Sequence, residues 1–133
     1  MKIIISLLIL VNVLFSNQIV IKDVVSVYDG DTFKVNLENC DINILCNDIP
    51  VRVYGIDTPE KKGTTGDVHL KALEAQRVTE FFLKLGNITL EECKRDKYFR
   101  ILCKVKRGSQ DLSEILIKKG LAKPYSGGTK EGF

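Results

Sequence analysis

A chain of 133 residues has room for one domain, and 44% hydrophobic with 28% charged residues excludes a disordered or low-complexity chain. The formal net charge is only +3, but it is unevenly placed. From Cys93 onward basic residues recur from Lys94 to Lys130 against only Asp96, Asp111, Glu114 and Glu131. A basic face beside an acidic cluster suits a polyanion held next to a cation, although a basic half alone is more often a solvated surface.

In chain order, Met1-Lys2 precede an apolar run, Ile3 to Val11, continued after Asn12 by Val13-Leu14-Phe15. One basic residue before such a run reads as a secretory signal peptide over residues 1–17, cleaved near Ser16. The run is shorter than the ~20 apolar residues that span a bilayer. A buried N-terminal strand or an uncleaved anchor is the competing reading. The expected mature protein is therefore residues 18–133, a single domain, secreted or periplasmic.

Ile19 to Tyr28 is rich in β-branched residues and stops at Asp29-Gly30-Asp31, a strong turn signal. Thr32 to Leu37 resumes with apolar and polar residues alternating, which predicts a hairpin. A polar loop carrying Cys40 and Cys46 follows, then a third strand, Val51 to Ile56, ended by Asp57-Thr58-Pro59-Glu60. From Gly66 the period changes. Val68, Ala72, Ala75, Val78, Phe82 and Leu85 form one helical stripe, with Asp67 at the N-terminal dipole and Gly86-Asn87 as the stop. Ile88 to Glu92 and Ile101 to Val105 predict two further strands around a charged turn, and Leu112 to Lys119 a short helix closed by Gly120. Five short strands with a helix after the third are compatible with a Greek-key barrel of the OB type, one candidate among several on pattern alone.

In an exported chain, an even cysteine count favours disulfides, and four cysteines admit three connectivities. Local pairing, Cys40 with Cys46 and Cys93 with Cys103, is expected because each pair flanks a segment short enough to reverse direction. A four-thiolate zinc site lacks the tight C-x2-C spacing that such sites favour, and without export four free thiols become the simpler reading.

The chemistry concentrates in Asp29-Gly30-Asp31-Thr32 and Asp57-Thr58-Pro59-Glu60. Turn chemistry alone explains either cluster. Carried to one end of a barrel, however, Asp31, Asp57 and Glu60 would converge and need a cation, and oxygen donors suit Ca²⁺ or Mg²⁺. Arg52 lies between Val51 and Val53 inside a strand, and Arg100 opens another. Each must find an anion or reach solvent: a structural pair such as Arg52 with Asp57, or a phosphodiester clamped beside a metal.

These residues stand in recognisable strings. Tyr28-Asp29-Gly30-Asp31-Thr32, Arg52-Val53-Tyr54-Gly55-Ile56-Asp57-Thr58-Pro59-Glu60, Asp96-Lys97-Tyr98-Phe99-Arg100, and Leu112-Ser113-Glu114 through Gly120-Leu121-Ala122-Lys123 occur in one order. Together they resemble the staphylococcal-nuclease-like (thermonuclease) family, over nearly everything from Val24 to Tyr125.

The resemblance implies an α+β, mainly β fold: a five-stranded OB-fold Greek-key barrel with a helix after strand 3 and a short C-terminal helix. It implies one Ca²⁺ held by the Asp31 and Asp57 carboxylates and the Thr58 main-chain carbonyl. Glu60 would orient or deprotonate water, while Arg52 and Arg100 would grip the scissile phosphate. Lys97, Tyr98 and Tyr125 would bind the neighbouring phosphate and nucleotide. The implied reaction cuts DNA or RNA, single-stranded or frayed, with little sequence preference and leaves 3′-phosphate ends; the protein is expected to act as a monomer. A non-catalytic OB-fold nucleic-acid-binding module is the alternative, disfavoured because both arginines and all three carboxylates are present.

Four departures stand out. Phe99 replaces the glycine that commonly precedes the second arginine. The Cys40–Cys46 loop is longer than in the family's best-known member. Tyr125 is one residue away from the usual nucleotide-binding tyrosine. That member's long C-terminal helix has no counterpart, a loss that two disulfides, each contributing ~2–4 kcal/mol, would offset. His69 is expected on the surface of the first helix, and Tyr28 and Tyr54 are expected to pack.

Overall fold

The computed structural model describes residues 17–133. The expected signal peptide, Asn17 apart, lies outside the described residues. Two long strands open the fold, β1 (Gln18–Asp29) and β2 (Thr32–Leu37). A short helix α1 (Asn43–Cys46) precedes β3 (Ile49–Val53) and β4 (Ile56–Asp57). The main helix α2 (Gly66–Lys84) leads to β5 (Thr89–Arg95), a 3-10 turn (Lys97–Phe99) and β6 (Ile101–Arg107). The chain continues through β7 (Gln110–Asp111), α3 (Leu112–Lys118) and β8 (Lys123–Pro124).

Five strands close into a barrel in the order β1-β2-β3-β6-β5, every neighbour antiparallel except β3 and β6, which run parallel. Closure depends on β1. Its first residues, Gln18 to Val20, pair with β5, and the remainder from Ile21 pairs with β2 across three register shifts. Such irregularities bend and coil a strand, which lets one strand serve two neighbours around a tight barrel. This is the expected mainly β OB-type architecture, with α2 after the third barrel strand.

Alternation decides which side chains enter the barrel. Phe33 and Val35 on β2, Val51 and Val53 on β3, Leu90 on β5, and Cys103 and Val105 on β6 are buried. Each fully buried large side chain contributes roughly 1.5–3 kcal/mol. Helix α2 covers one side with Ala72, Ala75, Phe82 and Leu83, and α3 adds Leu112 and Leu116. Asp111 caps α3 by accepting a 2.9 Å hydrogen bond from the Ser113 N–H. Both expected disulfides are present, Cys40–Cys46 across α1 and Cys93–Cys103 between β5 and β6.

Some expectations need correction. The third strand does not run unbroken to Ile56: Gly55 at φ +84° turns the chain after Val53, so Ile56-Asp57 start a separate strand paired with β8. Tyr28 and Tyr54 do not pack in the core. They are 57% and 38% exposed, with the ammonium groups of Lys61 and Lys94 5.2 and 5.6 Å from their ring centroids. His69 is half-buried rather than free on the surface. Its Nδ1 lies 3.1 Å from the Lys61 carbonyl oxygen and 3.3 Å from Thr64 Oγ1, tying α2 to the loop after Glu60. No described helix is long and apolar enough to cross a membrane.

Candidate functional site

The acidic turn between β1 and β2 is shaped from behind by α2. The Thr79 hydroxyl, fully buried, donates a 2.6 Å hydrogen bond to the Gly30 carbonyl, and Gln76 Nε2 donates to the Val27 carbonyl at 2.9 Å. A Cβ at Gly30 would lie 2.7 Å from Ala75 Cβ and 3.0 Å from Thr58 Cγ2. Glycine is needed here for space, because the helix sits directly on the turn. Turn and helix together push Asp31 inward, where it is 4% exposed.

Asp31 is then fixed on both oxygens. Its Oδ2 accepts from the Thr58 N–H at 3.1 Å and its Oδ1 from the Thr32 hydroxyl at 2.9 Å. The Asp31 carbonyl accepts from the Val53 N–H at 2.9 Å, and Thr32 sits opposite Arg52 in the β2–β3 ladder. The break at Gly55 returns the chain so that Asp57 arrives at the same place. One guanidinium nitrogen of Arg52 lies 3.2 Å from Asp57 Oδ1 and 3.6 Å from Asp31 Oδ2. All three side chains are nearly shut off from water, at 12% exposure for Arg52, 6% for Asp31 and 9% for Asp57. Two buried carboxylates share this one guanidinium, so a second positive group is needed to balance them.

Parallel pairing of β3 with β6 delivers the second arginine. Val51 sits beside Ile101, so Arg100 enters the cleft beside Arg52. Its Nε donates to Asp96 Oδ2 at 2.8 Å. Burial pushes the Asp96 carboxyl up, but the Lys97 N–H, the Arg100 hydrogen bond and the nearby arginine charges hold it below its ordinary value. Glu60 stands at the mouth, its side chain 64% exposed, where it can reach water.

The resulting cleft encloses about 260 Å³ and is lined by Asp31, Arg52, Asp57, Glu60 and Arg100, with Tyr28, Asp29, Thr32, Lys62 and Lys130 around them. A larger groove of about 590 Å³ runs along β1 and the C-terminal end of α2, but no functional cluster converges there.

The structure thus gathers the expected Asp31, Arg52, Asp57, Glu60 and Arg100 in one place, with Thr58 buried behind them. Lys97 and Tyr98 are not among the cleft-lining residues; they stand exposed on the turn before Arg100. Tyr125 flanks the cleft, its ring centroid 5.7 Å from the Arg52 guanidinium carbon and 5.9 Å from Lys130 Nζ.

Three participants have no role in the constellation that the strings imply. Asp96 orients Arg100, and its spacing four residues ahead was the available signal. Lys130 carries no local signal at all. Gly127 and Gly128, at φ +105° and +89°, turn the tail back, and the Tyr125 hydroxyl donates to the Gly128 carbonyl at 3.0 Å. Lys130 Nζ thereby reaches Asp57 Oδ1 at 3.0 Å and Glu60 Oε1 at 3.4 Å. Burial alone would lower its pKa, but Asp57 raises it, with Glu60 assisting. Asp29 is the third. Burial, with the Asp31 charge beside it, raises its carboxyl, and its Oδ1 has no hydrogen-bond partner.

Carboxylate oxygens are hard donors of the kind that divalent cations prefer. Asp31 and Asp57 offer carboxylate oxygens at the bottom of a polar cleft, and they draw cationic side chains from two directions. Among the described residues no group of three or more Asp, Glu, His or Cys side chains is placed to hold a metal ion. A bound ion would therefore take the rest of its shell from main-chain oxygen and water, as Ca²⁺ commonly does.

Comparison with known proteins places the chain in one family. The model of the family described as "Staphylococcal nuclease homologue" matches residues 50–131. The SPbeta prophage-derived endonuclease YokF of Bacillus subtilis (strain 168) is 35% identical over 98 residues, 71% of this chain and 31% of that protein. The thermonuclease of Staphylococcus hyicus is 33% identical over 102 residues, 75% of this chain and 56% of that protein. The chain therefore covers less than two thirds of either relative's length.

Proposed function

The chain belongs to the staphylococcal nuclease homologue family, and on that premise we propose that it is an exported, Ca²⁺-dependent nuclease. It hydrolyses phosphodiester bonds of DNA and RNA with little sequence preference and leaves 3′-phosphate ends. One observation carries this reading: Arg52 on β3 and Arg100 just before the parallel β6 enter a cleft that also holds Asp31, Asp57 and Glu60. The relatives' names, thermonuclease and endonuclease, support it. A binding module would need basic and aromatic surface but no buried carboxylates beneath it.

Asp31 and Asp57, with the Thr58 carbonyl, would hold the ion, which supplies Lewis-acid charge opposite the phosphate. Glu60, exposed at the mouth, orients a water molecule and accepts one of its protons as the oxygen attacks phosphorus. The bond from phosphorus to the 5′ oxygen breaks; that oxygen takes a proton from solvent water, and the phosphate stays on the 3′ side. Arg52 and Arg100 neutralise the charge that gathers on the five-coordinate phosphorus, from positions set before substrate arrives. Asp96 restricts Arg100 to one orientation, so less freedom is lost on phosphate binding. None of these contacts reads a base, which accounts for broad substrate choice.

Oxidised protein is expected to degrade single-stranded DNA and RNA with Ca²⁺ and to stop on adding EGTA. Undiminished cleavage in EGTA refutes the calcium assignment. Arg100→Ala should lower turnover by roughly 10²-fold or more, as loss of one preorganised charge contact does. A folded variant losing less than threefold would show that Arg100 does not face the phosphate. End-labelling of the products with and without phosphatase tests the 3′-phosphate, and the mass of protein recovered outside the cytoplasm tests export.

A further inference from the structure

The turn that presents Arg100 is built against the preferences of its own residues. Tyr98 and Phe99 both occupy the left-handed region, at φ +57° and +62°. That region is disfavoured for residues with a Cβ, and two bulky aromatic residues in succession make an outlier. Nor does packing account for them: each is 91% exposed and stands outside the hydrophobic core. Stability alone would favour glycine at Phe99, which removes the Cβ conflict and an apolar ring from water.

The surroundings suggest what the ring is for. Phe99 is joined directly to Arg100, a lining residue of the acidic cleft. The adjoining residues Lys94, Arg95 and Lys97 are positive and exposed. A flat apolar face held in water, flanked by cations and next to a phosphate-binding arginine, has the composition of a single-strand stacking platform. Bases in closed duplex are stacked on each other and offer no free face.

We propose that Phe99 is a base-stacking residue, on which the unpaired nucleobase beside the gripped phosphate lies. This inference rests on the nuclease reading above.

The test is equilibrium binding by fluorescence anisotropy in EDTA, where no cleavage intervenes. Labelled oligothymidylate is compared with an abasic oligomer of equal length and charge, on wild type, Phe99→Gly and Phe99→Trp. Phe99→Gly should bind oligothymidylate about five- to a hundredfold more weakly, the range one base–aromatic stack supplies. Its affinity for the abasic oligomer, which wild type already binds more weakly, should stay within twofold of wild type, and Phe99→Trp should match wild type on both. The glycine variant should unfold at no lower urea concentration than wild type, since its backbone strain is relieved. Equal loss on both oligomers, or no loss on either, overturns the proposal. If wild type binds neither oligomer in EDTA and also fails to cleave oligothymidylate once Ca²⁺ is restored, the nuclease reading itself falls.

Discussion

Replacing Arg52 with methionine keeps much of the aliphatic stem and removes the charge that Asp31 and Asp57 share. The contacts are 3.2 and 3.6 Å, in a site where the three side chains are 6–12% exposed. At an effective dielectric near 20, a unit pair at such separations attracts by roughly 5 kcal/mol. Much of that is already spent on desolvating the pair, and breaking a buried pair from one side typically costs about 3–5 kcal/mol. The lower end applies here. Lys130 still holds Asp57, and Asp31 keeps its hydrogen bonds from Thr58 and Thr32. With a urea m-value near 2 kcal/mol/M, a loss of about 3 kcal/mol lowers the midpoint by about 1.5 M. The measurement is urea unfolding in EDTA at neutral pH, followed by circular dichroism or tyrosine fluorescence, the chain having no tryptophan. Adding Asp31→Asn to Arg52→Met should recover at least about 1 kcal/mol, because the uncompensated charge is then gone. A loss below about 1 kcal/mol in the single variant, or no recovery in the double, would show that the carboxylates do not depend on Arg52.

Gly30→Ala should destabilise by about 1–3 kcal/mol in the same assay, since the new methyl group must displace Ala75 and therefore α2; an unchanged midpoint would mean that the helix does not press on the turn. Cys93→Ala with Cys103→Ala should cost about 2.7 kcal/mol in chain entropy for a separation of 10 residues. Cys40→Ala with Cys46→Ala should cost less, about 2.2 kcal/mol for a separation of 6; the opposite order refutes the ranking. Asp96 is held below the ordinary aspartate value in the folded protein, so its stabilising contribution is present above that ordinary value and is lost as pH falls through the folded one. The stability gap between wild type and Asp96→Asn should therefore be full at pH 7 and shrink as acid protonates Asp96; a gap that widens in acid contradicts the assignment.

Much of the molecule was legible where one periodicity held throughout an element. Phe33 and Val35 alternate with polar residues, and Ala72, Ala75 and Phe82 keep helical spacing, so their burial followed directly. The carboxylates and arginines were legible because each lies inside a short string whose turn or strand supplies its direction. Reading failed where geometry overrides pattern. Val51 to Ile56 is continuous in β propensity, and only the positive φ of Gly55 reveals that the strand ends early. Tyr28 and Tyr54 look like packing residues, yet both lie under lysine side chains on the outside. Lys130 was out of reach, because its place at Asp57 depends on pairing between β4 and β8 followed by a glycine turn. Pairings so distant in sequence leave no local trace.

The parallel contact between β3 and β6 also determines when the site can exist. Arg52 belongs to the first half of the chain and Arg100 to the second, with all of α2 between them. Neither disulfide bridges that divide, for one closes a loop before β3 and the other joins β5 to β6. A chain with either half folded alone would keep its covalent staple and still lack a complete phosphate clamp. Proper cysteine pairing is consequently no guarantee of a working cleft. The non-covalent β3–β6 join brings the two guanidinium groups together, so correct oxidation alone does not assemble the cleft.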